Sequence, residues 1–111
     1  MITKVITQIK IEGFHYYPNA PKEVSFLSDK HRHTFTIKCA YKVKDLNREK
    51  EIFICRDEVN EYLNETFGNP CQFGSMSCEM IALEVLEFGQ DDGMVSCEVW
   101  EEETGGAIVE L

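Results

Sequence analysis

The stretch HRHTFTIKCAYKV, residues 31–43, decides the fold. Phe35, Ile37, Cys39, Tyr41 and Val43 fall on one phase of a two-residue alternation; Thr34, Thr36, Lys38 and Lys42 fall on the other. Successive side chains of a strand point to opposite faces, so this pattern predicts a strand with one face against a core. His31 and His33 share the apolar phase.

Working outward, residues 3–14 alternate in the same way, with Val5, Thr7, Ile9 and Ile11 against Ile6, Gln8, Lys10 and Glu12. His15 continues the first of these series. Residues 15–30 hold Pro18, Asn19, Pro21 and Ser28 and read as a loop, long enough to carry function. Downstream, Asp45 to Arg48 supply a turn, and Lys50 to Ile54 are expected as a third strand of an antiparallel meander. A helix is expected over 57–67, with Val59, Tyr62, Leu63 and Phe67 on its apolar side and Gly68 at its end. Gly68 to Met76 reads as a loop. A second helix is expected from Ser77 to Phe88 on the stripe Ile81, Ala82, Val85 and Phe88, ended by Gly89 to Gly93. Residues 94–101 alternate as a fourth strand, with Val95, Cys97 and Val99 inward and Glu101 continuing that series; Gly105-Gly106 open a short last strand. The order βββααββ predicts an α+β fold, with two helices on one face of an antiparallel sheet of four to five strands. Residues 1–111 are read as one domain.

Charge narrows the partners. All eleven Lys and Arg lie in residues 1–56, whereas residues 57–111 hold fourteen Asp and Glu and no basic residue. The net charge of −9 disfavours a nucleic-acid partner, which needs a basic surface. The segregation would also let subunits pack basic face to acidic face. No apolar run is long enough to span a membrane and the N-terminus reads as a strand, so a cytoplasmic protein without a membrane partner is expected. Five cysteines with no CxxC pair argue against a disulfide framework or a four-cysteine metal site.

His15, His31 and His33 are the only three histidines, and the strand phases send all three to the covered face. Three neutral imidazoles hold zinc with a fourth position open, the arrangement of a catalytic site. Glu101 arrives on the same face, where a carboxylate is costly without partners. On spacing alone the plainer readings stay open: a pair of satisfied or exposed histidines, and a solvated strand end at Glu101-Glu102-Glu103. A barrel of the amidohydrolase kind needs a far longer chain, and no glutamate closely follows HRHTFTIK as in cupins.

The stretch FHYYPNAPKEVSFLSDKHRHTFTIKCAYKV resembles the 6-pyruvoyl-tetrahydropterin and 6-carboxy-tetrahydropterin synthases, which carry a histidine ending the first strand and an HGH-type pair opening the second. The resemblance implies the tunnelling fold (T-fold) and zinc held by His15, His31 and His33. The segment SMSCEMIALEVLE resembles the family's helix-opening pterin-contact segment and implies that role for Ser77, Cys78 and Glu79. In VWEEETGGAIVEL it implies Glu101 as the carboxylate that accepts the pterin's N–H edge. Leu27 stands where the family has a nucleophile-like cysteine, Glu102 stands where threonine is common, and no histidine remains for the family's Asp–His pair. Segment 45–76 is also short for the family.

What the resemblance implies about function is a zinc-dependent lyase acting on a dihydropterin such as 7,8-dihydroneopterin triphosphate, as in deazapurine (queuosine-type) synthesis. Cys78, and Asp29 or Lys30, are candidate substitutes for the missing proton movers, their plainer reading being a packed thiol and loop surface; Lys30 and Arg32 are also the cations nearest the metal pair and candidates for phosphate. Self-association as a trimer or hexamer, with the pocket between subunits, is also implied. The alternative is a diverged, non-catalytic protein that keeps the pocket for a pterin, purine or nucleotide.

Overall fold

The computed structural model of the chain describes residues 1–111. The two alternating segments form strands β1 (Thr3–His15) and β2 (His31–Val43), antiparallel over their whole length from Thr3 opposite Val43 to His15 opposite His31. A 3-10 segment, Lys22–Ser28, orders the connection between them. Helix α1 (Ile52–Phe67), strand β3 (Cys71–Gly74), helix α2 (Cys78–Gly89), strand β4 (Met94–Glu101) and strand β5 (Gly105–Glu110) follow. They complete one five-stranded sheet in the order β3-β1-β2-β4-β5. Both helices pack on the face that carries Phe35, Ile37 and Cys39, so the fold is α+β as expected. No helix is long and apolar enough to cross a membrane.

Four local expectations are corrected. Lys50 to Ile54 are not a strand. Glu51 caps α1 by accepting the Ile54 amide, and Lys50 is tied to Asp92 at 2.6 Å, so the β-prone run Ile52-Phe53-Ile54 becomes an exposed first helical turn. The expected loop 68–76 contains β3, whose Cys71 and Phe73 enter the core while Gln72 faces out. Because β3 runs parallel to β1, the sheet is mixed and the element order is ββαβαββ, ignoring 3-10 turns. In β4 the inner series shifts: Ala40 pairs with Ser96 but Tyr41 with Met94, so a bulge at Val95 hands its core place to Met94. Phe88 leaves the core for the surface, where it stacks on Tyr62 at 4.2 Å, and Leu86 is buried instead.

The core cluster of 18 residues joins the inner faces of β1, β2 and β4 to Val59 and Leu63 of α1 and to Ile81, Val85 and Leu86 of α2. Each fully buried aliphatic contributes about 1.5–3 kcal/mol from removed apolar surface. One glycine positions the site. A Cβ on Gly13 would sit 2.8 Å from the Phe73 ring and 3.0 Å from that of Phe35, so a bare backbone there lets both rings close under the histidine end of the sheet.

Candidate metal centre and cleft

The register of the sheet assembles the site. His15 lies directly opposite His31; His33 lies opposite Gly13, one diagonal away; and Glu101 lies opposite Phe35, the next inward residue of β2. Period-two alternation therefore brings three imidazoles and one carboxylate to one end of the covered face. Their ring centroids stand 4.6, 5.3 and 4.9 Å apart at steep interplanar angles, with Phe35 edge-on beneath His15 and His33 at 5.2 and 5.7 Å.

Each ring has an oxygen beside Nδ1. His15 Nδ1 is 2.9 Å from the Met76 carbonyl, His31 Nδ1 is 2.8 Å from the Asp29 carbonyl, and His33 Nδ1 is 3.5 Å from Glu102 Oε1. A carbonyl only accepts, so Nδ1 of His15 and of His31 carries a proton, which leaves Nε2 as the nitrogen each ring can offer to a metal ion. This is how metal-binding imidazoles are held. The Nε2 atoms of His15 and His33 are buried without a hydrogen-bond partner, and one donor nitrogen from each of the three rings lies within 4.8 Å of the others. The residues present fit a metal ion. Three imidazoles suit a first-row cation of the zinc, copper or nickel kind.

Glu101 meets the same nitrogens. Its Oε1 is 3.1 Å from His15 Nε2 and its Oε2 is 3.5 Å from His33 Nε2, while the Cys78 thiol donates to Oε1 at 3.5 Å. The contact with His15 holds the Glu101 carboxyl below its ordinary range, against the opposing effect of burial and with help from the charge of His33. Burial pushes His15 down, yet the Glu101 contact, the Met76 carbonyl and the Glu101 charge together hold it above its ordinary value. Burial, reinforced by the Glu101 charge, pushes the Cys78 thiol up to about 12.

A cleft of about 730 Å³ opens beside this centre. One wall is aromatic and aliphatic, from Tyr16, Tyr17, Pro18 and Leu27; the other runs from Ser75 to Met80 at the start of α2; the β4–β5 turn closes the end. His15, His31, Leu27, Ser77, Cys78, Glu79 and Glu101 all border it. Ser77 spends its hydroxyl capping α2, where it accepts the Met80 amide at 3.2 Å.

Three expected site residues stand apart. Arg32 pairs with Glu12 at 2.7 Å and Lys30 lies over the Phe14 ring at 5.0 Å, both turned from the cleft. The alternation that sends His31 and His33 inward sends Arg32 outward. Asp29 contributes its backbone carbonyl to His31, not its carboxylate to the cleft. No Lys or Arg borders the cleft at all.

Sequence reasoning missed Met76, Glu102, Tyr16 and Tyr17. The pair Tyr16-Tyr17 directly after His15 was a usable signal; a backbone carbonyl leaves none. No model of a known protein family matches this chain, and no curated protein matches it.

Proposed function

We propose that this protein is a zinc-dependent, lyase-type enzyme that acts on a dihydropterin-like heterocycle in the cleft, in the manner of the 6-carboxy- and 6-pyruvoyl-tetrahydropterin synthases it resembles. The observation that carries the reading is the convergence of three imidazole donors, two with tautomers set by backbone carbonyls, beside a cleft that His15, His31 and Glu101 border. Zinc, when bound, polarises a hydroxyl or carbonyl oxygen of the ligand. The rest falls to this chain. Tyr16, Tyr17 and Leu27 offer a wall to a planar ring, and Glu101 and Glu79 offer acceptors to its N–H groups and to a departing proton.

A second reading, a diverged binder without turnover, draws on two observations. Leu27 borders the cleft where a cysteine would serve, and the Cys78 thiol stays protonated at neutral pH. Elemental analysis of the purified protein, followed by product analysis with dihydroneopterin and its triphosphate, separates the readings. Zinc with turnover supports the lyase. Zinc with a retained heterocycle and no turnover supports the binder. Protein that takes up neither metal nor pterin overturns both.

Two unpaired edges support self-association as a trimer or hexamer: the outer edge of β5, and β1 from Thr3 to Glu12, since β3 pairs only with residues 13–15. Five buried free thiols suit a reducing, cytoplasmic setting.

A further inference from the structure

We infer that Glu101 is a fourth metal ligand, closing the centre while the cleft is empty and leaving it when a ligand's N–H edge arrives. The inference rests on the three-histidine metal reading and adds to it a resting state and a means of opening.

Geometry carries it. Around a tetrahedral ion with bonds of about 2.0–2.2 Å, neighbouring ligand atoms stand about 3.3–3.6 Å apart. The Glu101 oxygens stand 3.1 and 3.5 Å from the Nε2 atoms of His15 and His33. Those two nitrogens are among the four buried polar side-chain atoms without a hydrogen-bond partner, the others being Thr36 Oγ1 and Arg56 Nε, which belong to other parts of the chain. A carboxylate this close to ligand-to-ligand spacing from two imidazole nitrogens would share their coordination sphere with an ion placed between them.

The backbone that delivers Glu101 is fixed as well. The Thr104 amide donates to the Glu101 carbonyl at 2.9 Å and closes the β4–β5 turn, and the next residue, Glu102, is bonded to Thr34. No Lys or Arg pairs with Glu101; its remaining neighbour is the Cys78 thiol, a weak donor. A half-buried carboxylate with two imidazoles and a thiol for company is suited to a cation.

Opening follows from the lone pairs. A heterocyclic edge with two parallel N–H groups occupies both carboxylate oxygens, so the ligand that engages Glu101 draws it off the ion. The fourth position then becomes free for an oxygen of that ligand. With Glu101 in that position, no place would be left on the ion for a water to be activated.

Cobalt(II) in place of zinc gives the test, read by visible absorption rather than activity. A centre with a bound water changes its spectrum as that water ionises, near neutral pH for such sites. The wild-type cobalt protein is expected to show a four-coordinate spectrum constant from about pH 6.5 to about 9, whereas Glu101→Gln acquires a titrating transition in that range. Zinc affinity, by chelator competition, is expected to fall about tenfold or more in Glu101→Gln. A titrating spectrum in the wild type overturns the inference, and that measurement needs no variant to fold. His31→Ala serves as the control. If it binds metal as the wild type does, the metal reading itself fails; if it loses metal while Glu101→Gln keeps wild-type affinity and spectrum, only the role of Glu101 fails.

Discussion

Glu102 and Thr34 are bonded to each other twice. The Thr34 amide donates to Glu102 Oε1 at 2.7 Å, and the Glu102 amide donates to the Thr34 carbonyl at 3.1 Å. The same Oε1 lies 3.5 Å from His33 Nδ1, so the β4–β5 turn reaches across to one of the three clustered imidazoles on β2. Glu102→Ala removes that acceptor. Its metal affinity is expected to fall about tenfold, measured by chelator competition, while its circular dichroism stays that of the wild type.

The turn holds this position at a cost. Glu102 and Glu103 have φ of 50° and 60°, left-handed values that cost a non-glycine residue about 1 kcal/mol or more. Glu103 offsets this only through an exposed pair with Lys10 at 2.8 Å. Glu103→Gly is therefore expected to raise the thermal midpoint by a few degrees with metal affinity unchanged, read by calorimetry and chelator competition.

Proton and metal compete for His15. Because its value is raised, the stability it contributes to the metal-free protein is complete below the ordinary value of 6.5 and is lost as pH rises through the folded value. The lowered Glu101 contributes above the ordinary 4.5 and is lost as pH falls through its folded value. The pair therefore stabilises the metal-free fold most between 4.5 and 6.5. A metal ion bound by His15 would displace that proton, so the rise in thermal midpoint on adding zinc is expected to grow from about pH 6 to about pH 8. A rise that shrinks over that range refutes the assignment.

Ten of the sixteen residues that line the cleft, Ser75 to Met80 with Glu101 and Thr104 to Gly106, come from the part of the chain that has no cation, and the other six add none. Glu79 and Glu101 border it, so a triphosphate meets two carboxylates with no guanidinium or ammonium to balance it. The metal-loaded protein is expected to bind an unphosphorylated dihydropterin about tenfold or more tightly than its triphosphate, by isothermal titration. Tighter, salt-sensitive binding of the triphosphate would show that cations reach the site from a neighbouring copy.

Gly13→Ala tests the floor of the site. The added methyl meets Phe73 and Phe35, and their packing under His15 and His33 has to give. A loss of about 1–3 kcal/mol in chemical denaturation is expected, with weaker metal binding.

What the sequence by itself determined is whatever depends on local period. Alternation along residues 3–15 and 31–43 is a property of each strand alone, and it placed His15, His31, His33 and Phe35 on one face and Arg32 on the other. The Ser77 end of α2 was legible for the same reason, since a cap is made within a few residues. Only the tertiary structure decided the rest. Ile52-Phe53-Ile54 has strand propensity, but the Glu51 cap and the Lys50–Asp92 tie make it helix; Cys71 and Phe73 form a strand because β1 offers a free edge beside Gly13. The bulge at Val95, the Met76 carbonyl on His15 and the reach of Glu102 to His33 join residues dozens of positions apart. Such contacts follow from register and turn geometry, which no short window of sequence contains.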